Sequence, residues 1–230
     1  MNVTIIHGQS HQGSTCHIAR LLAEKLGGEV TEFFLPKDFG EFCVGCTVCF
    51  GDSETKCPHF SRLAPITEAI DAADVLILAS PVYVYHATGA MKALLDHYGW
   101  RWMVHRPEEK MFSKQAVCIS TAAGAGMKSA NRDMAHSTFF WGIPKTYQYG
   151  VAVMETAWER VSSRKKRRID GELGRLAQKI KTNQGRIKPP VKTKAVFAVM
   201  RQMQKHGWNE ADTRYWRDKG WTGKKRPWKP

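Results

Sequence analysis

Apolar positions along this chain follow two rhythms. Val3, Ile5 and Ile6 form a short compact run, and from Thr15 onward Ile18, Leu21, Leu22 and Leu26 fall at helical spacing. The pair predicts strand, loop and helix. A second strand is predicted over 30–34, followed by an irregular stretch over 35–60; loops that long in a compact domain usually carry a function. Pro65 suits the first turn of a helix running to about residue 73. Val75-Leu76-Ile77-Leu78-Ala79 is apolar without alternation, the mark of a parallel strand covered on both faces. Thr88 precedes a helix through Met91, Leu94 and Leu95; a strand over 116–120, a helix over 127–140 and a strand over about 146–154 come next. A last helix is predicted over about 158–181, where Ile169, Leu173, Leu176, Ala177 and Ile180 form one apolar stripe under a basic outer face. Five strands alternating with five helices call for an α/β fold with an open, doubly wound, five-stranded parallel sheet, whose strand order the pattern leaves open.

The alternation stops near Gly185. Lys188-Pro189-Pro190 breaks it, and the remaining segment is basic, with aromatics at Phe197, Trp208, Tyr215, Trp216, Trp221 and Trp228. The division predicted is a domain over 1–184 and a basic, aromatic-rich extension over 185–230 that packs on the domain or on a neighbouring subunit. Charge sharpens the boundary: residues 1–159 hold 13 Lys and Arg against 16 Asp and Glu, whereas 160–230 hold 22 against 5. Arg164-Lys165-Lys166-Arg167-Arg168 could form a nucleic-acid or membrane-surface patch, but the rest of the chain offers no recognition motif, and a solvated helix face is the reading preferred. No apolar run reaches the length of a bilayer span, and Asn2 leads straight into a strand without a basic leader or cleavage site, so a cytoplasmic protein is expected.

Three strand ends carry the candidate chemistry. Residues 8–15, Gly-Gln-Ser-His-Gln-Gly-Ser-Thr, lie between a buried strand and a helix N-terminus, where free backbone amides and the helix dipole favour an anion. Ser10, Ser14 and Thr15 add neutral donors suited to a phosphate monoester. Ser14 stands where a Walker loop requires lysine, which argues against a nucleoside triphosphatase, and G-x-G-x-x-G is not matched. Ser80-Pro81-Val82-Tyr83-Val84-Tyr85 comes after the third strand and could border a flat ring. Thr121-Ala122-Ala123-Gly124-Ala125-Gly126 comes after the fourth; its lack of bulk would let backbone amides approach a ring edge. Taken singly, each loop reads equally well as an ordinary turn.

Six cysteines add a second kind of chemistry. Cys43, Cys46, Cys49 and Cys57 are crowded, in a C-x-x-C-x-x-C run with the fourth after seven more residues, while Cys16 and Cys118 stand apart. Closely spaced thiolates on a loop can wrap a [4Fe–4S] cube; reduced thiols shaping the pocket, zinc, or a redox disulfide are the alternatives. His59, beside Cys57-Pro58, is a candidate additional ligand. His86, His97, His105 and His136 are assigned to packing or surface roles. Arg101 and Arg106 could meet the phosphate of a nicotinamide nucleotide or a subunit partner.

On the loop over 8–15, the cysteine segment over 43–57, Ser80-Pro81-Val82-Tyr83 with Met91-Lys92-Ala93-Leu94-Leu95-Asp96, and the loop over 121–126, the chain resembles the NADPH-dependent FMN reductase and flavodoxin-like NAD(P)H oxidoreductase family, including its iron–sulfur flavoprotein branch. The resemblance covers about residues 2–180. Where the family's first loop commonly has arginine, this chain has His11. The resemblance implies a flavodoxin-like enzyme that binds FMN and takes electrons from NAD(P)H for a small-molecule or protein acceptor. It assigns Ser10, Gln12, Gly13, Ser14 and Thr15 to the FMN phosphate region. Pro81, Val82, Tyr83 and Val84 would flank the flavin, and Thr121, Ala122, Ala123, Gly124, Ala125 and Gly126 would meet its polar edge. It further implies a homodimer, and a possible [4Fe–4S] cluster on Cys43, Cys46, Cys49 and Cys57. A non-enzymatic electron carrier is the first rival reading, and a nucleic-acid-binding module the second.

Overall fold

A computed structural model describes residues 1–155 and 157–229. Its centre is a five-stranded sheet: β1 Asn2–His7, β2 Glu29–Phe34, β3 Val75–Pro81, β4 Gln115–Ala122 and β5 Lys145–Ala152. Every pairing is parallel, and the spatial order is β2-β1-β3-β4-β5, the flavodoxin-like order whose switch point lies between β1 and β3. The helices are α1 Ser14–Leu26, α2 Val48–Gly51, α3 Phe60–Ala72, α4 Gly89–Asp96, α5 Met127–Phe140, α6 Ser163–Asn183, α7 Val191–Lys205 and α8 Glu210–Asp218. None of the described helices is long and apolar enough to cross a membrane.

Strand periodicity divides the core between two faces. Val75 and Ile77 of β3 join Val3, Ile5, Val117 and Ile119 under α1 and α6, where Ile18, Leu22, Leu173 and Ile180 cover them. Leu76 and Leu78 point the other way, with Ile6, Ala116 and Cys118, under Ile66 and Ile70 of α3, Leu94 of α4 and Met134 of α5. β1, β3 and β4 are sealed on both sides, which is why their sequences run apolar without alternation. Register then fixes the site: His7 pairs with Ala79 and Pro81 with Thr121, so three chains leave the sheet along one edge.

Two predicted boundaries move. The third helix starts at Phe60, five residues before Pro65; the ring sits in the second turn, where the lost donor costs only the bond to residue 61 at the helix start. Trp158–Arg160 is a separate 3₁₀ turn, and the last helix of the domain begins at Ser163 because the Ser162 hydroxyl accepts the Lys165 amide. The extension after Gly185, to which the sequence pattern assigned no elements, forms two helices. Pro190 precedes α7, and the Asn209 side chain caps α8 by accepting the Asp212 amide.

These two helices close a third core in which Phe197, Trp216 and Trp221 pack with Met103 and Phe112. The extension therefore packs on its own domain. Phe197, Trp216 and Trp221 are core, whereas Trp208 of the same segment is 57% exposed.

Candidate functional site

The loops after β1 and β3 approach so closely that one position must be glycine. A Cβ on Gly8 would lie 2.9 Å from Thr88 Oγ1 and 3.0 Å from Ser80 Oγ. Thr88 uses that contact: its hydroxyl donates to the Gly8 carbonyl at 2.6 Å, and its amide donates to Ser80 Oγ at 3.0 Å. The loop after β4 is tied in from the other side, where Thr15 Oγ1 and Thr121 Oγ1 lie 2.6 Å apart.

The resulting cleft has a volume of about 460 Å³, within the range of small-ligand sites. Of the residues expected from the sequence, Gly13, Ser14, Thr15, Pro81, Val82, Tyr83, Thr121, Ala122 and Ala123 line it. The others lie outside the lining. Ser10 turns its hydroxyl to the Leu35 carbonyl, and the Gln12 side-chain oxygen accepts from Arg20. Val84 sits at an exposed turn tip, Gly124 and Ala125 are exposed, and Gly126 packs beneath the turn. Gly126 has φ +95°, and a Cβ there would come 2.6 Å from Val82 Cγ1, so the fourth-strand loop supports the third-strand loop.

The lining also includes His7, Gln9, Val153, Met154 and Glu155, which sequence reasoning missed. Gln9 was legible as part of the first loop; it donates to the Tyr83 hydroxyl at 2.5 Å. His7 is the last strand residue, and its role depends on Glu32 of the neighbouring strand, 2.8 Å from Nε2, which a linear reading does not reveal. Burial pushes the His7 imidazole below its usual range, opposed by the hydrogen bond and charge of Glu32.

The α1 end of the cleft has features that suit an anion. Gly13 caps α1 with no side-chain hydrogen bond, so the first-turn amides keep their donor capacity. Ser14 Oγ is buried with no partner, an arrangement that costs about 1–3 kcal/mol unless a ligand completes it. On the opposite wall, Tyr83 and His86 exchange two backbone hydrogen bonds around Val84 and Tyr85, whose φ values are +48° and +68°. A β-branched residue in that region is strained, and strain of this kind concentrates at ligand-binding turns.

Arg101 and Arg106 are not available to a nicotinamide phosphate. Arg101 is buried and forked onto Asp71 through two hydrogen bonds. Arg106 is 7% exposed; Nη1 meets Asp212 Oδ1 at 2.5 Å and its guanidinium also donates to the carbonyls of Cys49 and Phe50. His105 Nδ1 reaches Asp212 Oδ2 at 2.7 Å, and Asn209 donates to the Phe50 carbonyl at 3.2 Å. The C-terminal helix α8 thus clamps the cysteine loop to the domain.

In that loop Cys43 and Cys46 are exposed, Cys49 and Cys57 half-buried, and all are free thiols. Burial pushes the Cys49 thiol up, and Cys57, Cys43 and Cys46 add to the shift. Of these four, Cys57 is the one gathered with other metal-type donors among the described residues: it lies with the His59 and His97 imidazoles, one ligand atom of each within 4.8 Å of the others. Cys16 and Cys118 are buried, and burial pushes both thiols up. Thiol-specific alkylation of the native chain is expected to label Cys43 and Cys46 first and to reach Cys16 and Cys118 only on unfolding, as peptide mapping of a time course will read out.

Comparison with known proteins agrees with this geometry. The sequence profile of the family described as NADPH-dependent FMN reductase matches residues 1–159. An iron–sulfur flavoprotein of Archaeoglobus fulgidus is 29% identical over 136 residues, a match spanning 57% of this chain and 58% of that protein's own length. Among solved structures, a flavone reductase superposes with a TM-score of 0.58 at 15% identity, covering 82% of this chain and 66% of that one. An FMN-dependent NADH-azoreductase from Bacillus anthracis, in complex with FMN, superposes with a TM-score of 0.53 at 12% identity, covering 76% of this chain and all of that one. At such identities the superpositions speak for the fold alone.

Proposed function

Because the chain belongs to the NADPH-dependent FMN reductase family, whose profile spans residues 1–159, we propose that it is an FMN-dependent oxidoreductase that draws electrons from NAD(P)H and passes them to a small-molecule or protein acceptor. The observation that carries this reading is the buried Ser14 hydroxyl, left without a partner at an uncapped helix start that opens into the cleft.

In this reading Ser14, Thr15 and the first-turn amides of α1 receive the phosphate. Val82 and Tyr83 border one side of a flat ring, while Ala122 and Ala123 offer backbone groups at its edge. FMN, when bound, supplies the hydride and electron chemistry. The protein's part is to orient the ring, exclude water on the strand side and leave one side open. His7 stands behind the site, held by Glu32, which in turn accepts from Arg20 at 2.9 Å. The rim carries exposed Val84, Tyr85 and Met154, an apolar border that supports the homodimer implied by the family resemblance.

Anaerobic addition of NADPH or NADH to the FMN-loaded protein is expected to bleach the flavin absorption within the mixing time of a manual assay. A flavin that stays oxidised with both nucleotides yet accepts electrons from dithionite would favour the non-enzymatic carrier instead.

A further inference from the structure

Away from the cleft, three metal-ligating atoms from two separate elements converge. One atom each of Cys57, His59 and His97 lie within 4.8 Å of one another. His97 comes directly after the last residue of α4 and is 5% exposed. Its Nδ1–H donates to the Ala93 carbonyl at 2.8 Å. That bond fixes the tautomer and leaves Nε2 as a bare lone pair, the way a backbone carbonyl orients a metal-binding imidazole. The lone pair is aimed at His59, whose Nδ1 is 2.9 Å away. Phe39, fully buried, meets the His97 ring edge-on at 4.8 Å and holds its plane. His59 occupies the cap position of α3 but makes no side-chain capping bond; its ring turns to His97 instead.

We infer that Cys57, His59 and His97 form a mononuclear site for a zinc-class divalent cation. With metal–donor distances of about 2.0–2.3 Å, tetrahedral donors stand about 3.3–3.6 Å apart, so the observed trio closes on one ion through small side-chain rotations. One thiolate and two imidazoles favour zinc over calcium or magnesium. Binding releases one proton, from the Cys57 thiol; both imidazoles bind as neutral ligands, the His59 ring carrying its proton on the nitrogen that does not face the ion, and two metal bonds replace the His59–His97 hydrogen bond. Water fills the fourth position. The ion would fasten the cysteine loop to α4, the helix next after the third-strand loop of the cleft.

This assignment competes with a four-cysteine cluster for Cys57, and the two have opposite mutational signatures. The test is a cobalt(II) titration of the full-length, chelator-treated chain, read by its visible ligand-field absorption and followed by zinc displacement. One equivalent of cobalt is expected to give tetrahedral bands that zinc removes. His59→Ala and His97→Gln should weaken cobalt binding by roughly 100-fold or more, whereas Cys43→Ser and Cys46→Ser should bind as the unaltered chain does. FMN uptake is measured on the same samples, which checks that each variant is folded and keeps this result separate from the flavin reading. Bands that survive both histidine substitutions, or vanish with Cys43→Ser, overturn the site. So do four iron and four sulfide per chain in anaerobically isolated protein that persist in His59→Ala.

Discussion

Ser14→Asp is expected to weaken FMN binding by roughly 100-fold while leaving the apoprotein at least as stable as before. Two unit charges 4 Å apart at an effective dielectric constant of 20 interact by about 4 kcal/mol, close to a thousandfold; solvent entering an open cleft reduces that toward the lower figure. The same carboxylate stabilises the start of α1 by about 0.3–1 kcal/mol through the helix dipole, and it removes a buried hydroxyl that has no partner in the ligand-free chain. Function and stability thus move in opposite directions. Riboflavin, which lacks the phosphate, should bind both proteins alike. Fluorescence-quenching titrations with FMN and riboflavin, beside thermal melts of both apoproteins, read out the prediction. Equal losses for the two flavins would place the phosphate elsewhere.

Asp212→Ala is expected to cost about 3–5 kcal/mol, because removing one partner of a buried ion pair strands the other. Asp212 is fully buried and serves both His105 and Arg106. For a chain of this length the loss corresponds to a fall in Tm of about 6–20 °C. The effect should be local before it is global. Arg106 holds the Cys49 and Phe50 carbonyls and Asn209 holds Phe50 again, so amide exchange should accelerate across 43–57 under conditions where β3 remains protected. An unfolding midpoint within a degree or two of the unaltered chain, with loop exchange unchanged, would mean that α8 does not clamp the loop.

Why the cleft loops could be read from the sequence and the clamp could not comes down to range. Val75 to Ala79 announced a strand buried on both faces by lacking alternation, and the helix expected around 127–140 is present over those residues. Loops leaving β1, β3 and β4 came with the parallel topology, since parallel strands end on one edge. Arg101 and Arg106 invited a nucleotide because their partners, Asp71 and Asp212, lie 30 and 106 residues away. Phe197, Trp216 and Trp221 suggested an appended tail because the third core that explains them includes Met103 and Phe112. Local signals at 190–212 were present nonetheless: Pro190 before a periodic run, and Asn209 three residues before Asp212, both start helices. Basic composition outweighed them. His97 was set aside as packing, and only the fold places its free nitrogen against His59.

The direct test of the central claim is the stoichiometry of flavin uptake by purified, unaltered apoprotein. Three strand ends converging on one phosphate-bearing ring predict one FMN per chain, held at least tenfold more tightly than riboflavin and released as the Ser14 site is filled by excess inorganic phosphate. No uptake of FMN, or equal affinity for FMN and riboflavin, would contradict it.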